Sequence, residues 1–230
     1  MRAKACLVPH AGYMYSGGVA GAVYGALDLP RLFVILAPNH FGNGAKLALH
    51  PATEWETPLG RARVDTELAA RILTGVPGME EDARAHEEHS LEVQLPFLQY
   101  LCPEFTFVPI AIGIGDYPTL VKLGESLAAV LTDEPRPAMI VASSDMNHYE
   151  DDRTTRGKDR IAIDTMLVLD TRALYDALKR ERISMCGYGP AIAAMTAVRP
   201  SLARLVEYAT SGDAEGERER VVGYAGMAFA

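Results

Sequence analysis

The sequence predicts an α/β protein, a single layered domain over residues 1–230 with a mixed β-sheet flanked by helices. Three observations predict it. Short apolar, β-branched runs alternate with segments of helical length, Gly and Pro punctuate the joins, and no repeat, low-complexity tract or linker divides the chain. With 49% apolar residues, 230 residues can bury one large core.

Taken in order, Lys4–Val8 and Leu32–Leu36 read as short buried strands, stopped by Pro9 and Pro38, which cannot donate to a sheet ladder. A helix follows the first strand over Gly17–Leu27, with Ser16 as its cap. After the second strand come a short segment, Lys46–Leu49, a polar turn around Trp55–Gly60, and an amphipathic helix over Thr66–Leu73 capped by Asp65. Thr106–Ile112 is a strand, Pro118–Leu131 a helix with proline in its first turn, and Ala138–Ala142 another strand. Helices over Thr171–Arg182 and Tyr188–Val198 precede two terminal strands, Ala203–Thr210 and Val221–Phe229, joined by a Gly- and charge-rich loop over Gly212–Arg220.

Charge narrows the partners. A net charge of −8 and a pI near 5.3 argue against a nucleic-acid groove and against anionic membrane surfaces, and permit a small-molecule or cationic partner. Three cysteines without paired spacing, no signal peptide and no bilayer-spanning apolar run point to a reducing cytoplasm. Cys6, inside the first strand, and Cys102, beside Pro103, read as packing residues.

Chemistry concentrates in four places. His10 in Pro9-His10-Ala11-Gly12-Tyr13, His40 in Ala37-Pro38-Asn39-His40, and the Ser143-Ser144-Asp145-Met146-Asn147-His148 motif each leave the end of a strand, where open α/β sheets gather ligands. Asp145 either orients or charges His148, which suits an acid/base pair, or caps the segment that follows. Cys186, between two helices, is either a small buried residue or a thiolate favoured by Gly187 and the next helix N-terminus. Tyr13 and Tyr15 either offer phenols to a substrate or pack against nearby glycines. His89 and Glu92, three apart, share a helical face that Pro96 interrupts. His50 and His86 match no ligand pattern.

These motifs, together with Glu88-His89-Ser90-Leu91-Glu92-Val93-Gln94-Leu95-Pro96-Phe97-Leu98, make the chain resemble the Memo family from Cys6 to Phe229. The resemblance implies a fold similar to class III extradiol dioxygenases, which are non-haem iron enzymes. By motif, His10 and His40 match the two histidine ligands, Cys186 stands where those enzymes have a carboxylate, and His148 matches the acid/base histidine. A thiolate is softer than a carboxylate, so iron or copper is implied, with zinc as a further option, and ring cleavage does not follow directly. His89 and Glu92 then line or buttress the pocket. Family members usually carry a further segment ahead of the first strand that helps cover the site. Here Met1-Arg2 leads straight into that strand, which implies a missing wall or one supplied by a partner. Two functions follow from the resemblance: a metal-dependent oxidoreductase acting on a small molecule alongside radical-SAM and AMMECR-type partners, or a non-enzymatic peptide- or ligand-binding protein. Metal storage is a third, weaker one.

Overall fold

A computed structural model describes residues 1–230. In chain order its elements are β1 (Ala5–Val8), α1 (Tyr13–Ala26), β2 (Leu32–Pro38), β3 (Leu47–Leu49), β4 (Glu54–Thr57), β5 (Gly60–Val64), α2 (Thr66–Gly75) and β6 (Glu80–Glu81). Two short 3₁₀ turns, Ala83–His86 and Glu92–Gln94, lead into α3 (Leu95–Leu101) and β7 (Thr106–Ile112). The rest is α4 (Tyr117–Thr132), β8 (Ala138–Ser143), β9 (His148–Glu150), α5 (Asp152–Leu167), α6 (Thr171–Glu181), α7 (Tyr188–Val198), β10 (Ala203–Thr210), α8 (Ser211–Glu215) and β11 (Val221–Phe229).

The eleven strands form one open mixed sheet whose main order is β10-β11-β1-β8-β2-β7-β3-β6. At its centre β1, β8, β2 and β7 run parallel, so their carboxyl ends open on one edge. Strands β11 and β3 flank this group antiparallel. Central strands covered on both faces must be apolar at every position, and successive side chains go to opposite cores. Leu32, Val34 and Leu36 of β2 join the larger core, while Phe33, Ile35 and Ala37 join the other. The larger core packs residues of α2, α4, α5, α6 and α7, and the smaller one packs residues of α1 and α3.

Several boundaries differ from the sequence reading, each for a local reason. Helix α1 begins at Tyr13 with Gly12 in the cap position, and Ser16 lies inside it, its hydroxyl donating to the Ala11 carbonyl at 2.9 Å. The polar turn around Trp55 is a β4–β5 hairpin, turned at Gly60 with φ of 114°. His89 and Glu92 share no helical face, because His89 lies ahead of the 3₁₀ turn that Glu92 opens and Pro96 sits in the first turn of α3 rather than breaking a longer helix. The loop over 212–220 contains α8, held by a capping box between Thr210 and Asp213. Helix α5 escapes a search for apolar periodicity because its buried face opens with the polar Thr155 and Asp159 and turns apolar only at Ala162. Asp65 caps α2 as expected, accepting from Leu68 N. No helix is long and apolar enough to cross a membrane.

Candidate metal centre

The parallel strands dictate where the chemistry collects. His10 leaves β1, His40 leaves β2 and Asp145 leaves β8, all at the carboxyl edge, and the Cys186 loop ahead of α7 meets them there. Gly187 makes this approach possible: a Cβ at this position would stand 2.2 Å from the Ser143 carbonyl oxygen and 2.4 Å from Ser144 Cβ. Its amide donates to Ser144 Oγ at 2.9 Å, which ties the Cys186 loop to the end of β8.

Nε2 of His10 and Sγ of Cys186 are 3.3 Å apart. The ligand atoms of His10, His40 and Cys186 all lie within 4.8 Å of one another. A nitrogen and a sulfur on one tetrahedral ion, at bond lengths near 2.0 and 2.3 Å, would stand about 3.5 Å apart, so the His10–Cys186 separation suits a shared metal.

Hydrogen bonds set the tautomers. The Ser143 hydroxyl gives its one proton to the Ser90 carbonyl at 2.6 Å and accepts from Gln94 Nε2 at 3.0 Å. Toward His10 Nδ1, 2.9 Å away, it can therefore only accept, which puts the proton on Nδ1 and leaves Nε2 with its lone pair facing Cys186. His40 Nδ1 donates to Glu88 Oε2 at 2.6 Å, which likewise frees its Nε2. A carboxylate behind a ligating imidazole is the usual way to fix its orientation and raise its basicity. Glu88, whose side chain is 4% exposed and also bonds the Ser90 hydroxyl, fills that place.

Burial, the proximity of His40 and the proximity of His89 push His10 down to about 3, so its imidazole is neutral. The Glu88 hydrogen bond holds His40 above its ordinary value. Burial first, and the Asp145 carboxylate second, push the Cys186 thiol up, overriding the lowering anticipated from Gly187 and α7. A metal cation at the thiol opposes both causes. The Asp145 amide also donates to the sulfur at 3.3 Å, an interaction suited to a thiolate.

Asp145 serves the backbone rather than His148. Its Oδ1 accepts from the amides of His10 at 2.8 Å and Ala11 at 3.3 Å, and burial raises its carboxyl above the ordinary range. It caps no helix; Asp151 caps α5. His148 is set instead by Ser184, whose hydroxyl accepts from the His148 amide at 2.8 Å and whose carbonyl faces His148 Nδ1 at 3.0 Å. A carbonyl can only accept, so Nδ1 carries the proton and Nε2 is free.

His10, His40, His89, Asp145, His148 and Cys186 line one cleft of about 830 Å³. The His89 ring lies 5.8 Å from those of both His10 and His40, stacked on the latter. Tyr15 lines the cleft with its hydroxyl on Glu215. Tyr13 and Glu92 stay outside its lining. The Tyr13 hydroxyl donates to the Val93 carbonyl and its ring meets Phe97, while the exposed Glu92 begins the 3₁₀ turn. Gln94 points inward instead, bonding Tyr24, Pro9 and Ser143. Glu88, Ser143, Gln94 and Ser184 were not singled out from the sequence. Each lay inside or beside a noted motif without being given a role: Glu88 and Gln94 in the longest histidine-bearing stretch, Ser143 at the head of the Ser143–His148 motif, and Ser184 two residues before Cys186.

Fold and site together define an α/β protein with a two-histidine, one-cysteine centre at the carboxyl edge of a parallel sheet. A family model described as Memo-like protein matches residues 1–228, and the chain belongs to that family. It is 43% identical to a MEMO1 family protein of Archaeoglobus fulgidus over 98% of this chain and 86% of that one. A MEMO1 family protein of Methanosarcina mazei is 44% identical over 95% of this chain and 83% of its own. Among solved structures, an uncharacterized protein of Escherichia coli K12 shares the fold at a TM-score of 0.61, with 14% identity, covering 97% of this chain and 98% of that chain.

Proposed function

We propose that this protein is a metal-dependent oxidoreductase acting on a small molecule, with the metal held by His10, His40 and Cys186. The observation that supports it is the pair of imidazoles whose Nε2 atoms are freed by partners on Nδ1, with the Cys186 thiol 3.3 Å from that of His10 and all three ligand atoms within 4.8 Å of one another. Two imidazoles and a thiolate suit iron or copper, with zinc as competitor. Bound there, such a metal supplies redox activity or Lewis-acid polarisation to oxygen or a substrate.

This chain's own residues supply the rest. Glu88 and Ser143 hold the two ligand rings in register. His148, with its proton fixed on Nδ1, offers Nε2 to the cleft and moves a proton to or from the ligand. A group that only buttressed the fold would be turned inward; His148 lines the cleft. Radical-SAM and AMMECR-type proteins are the pathway partners this reading carries.

The test is metal analysis of protein purified without oxygen, followed by oxygen uptake with a panel of catechols and other phenols. Stoichiometric iron or copper with substrate-dependent uptake supports the reading. Metal without turnover on any phenol favours the ligand-binding role, and no metal at all removes the proposal.

A further inference from the structure

One cation of the cleft is uncommitted. Around the α8–β11 corner, Arg218 pairs with Asp152 at 2.7 Å, Arg156 with Asp213 at 2.7 Å and Lys158 with Glu150 at 2.6 Å. Arg220, exposed and one residue before β11, makes no ion pair and no side-chain hydrogen bond, although the chain carries a net charge of −8. Its guanidinium lies over the Tyr149 ring, 5.6 Å from the centroid, and both residues line the cleft with His148.

The placement is built rather than incidental. Val221 pairs with Glu150 and Val222 with His148, so Tyr149 is an extra residue bulged out of β9. Its φ of 62° is unusual for an aromatic residue, and the bulge holds it there, 64% exposed, beside the proton-bearing histidine. Stacking on Tyr149 leaves the edge of the guanidinium, with its forked N–H donors, free toward solvent and the cleft. Of the other charged groups in this cleft, Asp145 is taken by the His10 and Ala11 amides, and Glu215 by the Tyr15 hydroxyl.

Building on the small-molecule reading of the cleft, we propose that its ligand carries an acidic oxygen group, a carboxylate or a phosphate, received by Arg220 beside Tyr149. The rest of the ligand then extends toward His148 and the histidine–cysteine centre, with Phe41 as an apolar wall.

Calorimetric titration with benzoate, phenyl phosphate and neutral benzamide tests this, on metal-free and metal-loaded protein. At least one anion should bind about fivefold or more tightly than benzamide, and the preference should shrink with added salt. The tighter of the two anions identifies the acidic group. Arg220→Gln should bring anions and benzamide level, and Arg220→Lys should restore part of the difference. Arg220 is exposed, so both variants should keep the wild-type melting temperature. Equal binding of all three probes by the wild type, no binding of either anion, or a preference that survives Arg220→Gln would overturn the proposal. A protein that takes no metal yet prefers the anions through Arg220 refutes the metal reading alone. A metal-loaded protein indifferent to charge refutes Arg220 alone.

Discussion

His10 Nε2 and Cys186 Sγ face each other at 3.3 Å across a separation of 176 residues. The pair is chemically incomplete on its own. A neutral imidazole lone pair and a thiol held protonated by burial gain most from a cation that both can ligate.

The first prediction separates ligands from the proton carrier. His40→Ala and Cys186→Ala should abolish stoichiometric metal binding, while His148→Ala should keep metal near the wild-type content and lose turnover by about 10²- to 10⁴-fold. Elemental analysis beside the oxygen-uptake assay decides it, and equal metal loss in all three variants would make His148 a ligand.

Glu88 should matter without touching the metal. Glu88→Ala should weaken metal binding by about 10- to 100-fold, because the His40 ring loses the partner that fixes its tautomer. Glu88→Gln should fall between, since its amide oxygen can still accept from Nδ1. Competition against a calibrated chelator measures both, and wild-type affinity in Glu88→Ala would remove the assigned role.

The charge of Asp145 acts on the thiol. Asn at this position can still accept from the His10 and Ala11 amides, so the loop should hold, but the negative charge that raises Cys186 is gone. Metal loading requires the thiolate, so the pH midpoint of loading should move down in Asp145→Asn. An unchanged or higher midpoint would contradict the electrostatic account. Asp145→Ala, in contrast, strands two amides, and should cost about 2 kcal/mol or more in denaturant unfolding.

Acid should destabilise the metal-free protein early. His10 and His86 sit at about 3 and about 4 in the fold, so between pH 6.5 and those values the unfolded chain binds more protons and stability falls with falling pH. Asp159 opposes them. Burial raises its carboxyl to about 7, so between about 4 and 7 the native state holds the extra proton and stability falls as pH rises through that window. Asp159→Asn should therefore steepen the acid loss below pH 6.5 and be more stable than wild type at pH 8. Urea midpoints from pH 3.5 to 8 test both signs.

The chain announced its fold through β1, β2, β7 and β8, whose apolar runs have no other use, and through Asp65, whose spacing marks a helix start. His10 and His40 were legible because strand-ending prolines stand beside them, whereas Cys186 joined them through the family resemblance, since its sequence neighbourhood left a buried packing role open. Their partners were not. Ser143 and Ser184 are ordinary serines in sequence, and what they do depends on which carbonyl or imidazole the fold brings opposite. Asp145 shows the same limit from the other side. Three residues from His148 in sequence, it is bonded to the amides of residues 135 and 134 positions away.

The seating of β1 has a consequence for biogenesis. Ala5 pairs with Ile140 on one side and Phe229 on the other, so one edge of β1 waits for a partner 135 residues further along the chain and the other edge for one 224 residues further along. Pairing over such distances makes the search slow, and until it ends the apolar β1 is exposed to wrong partners. Cys186 and His10 meet only once β8 has docked on β1. On the proposed metal reading, uptake follows that docking, and the rate at which newly made chains acquire the ion reports the closing of the sheet.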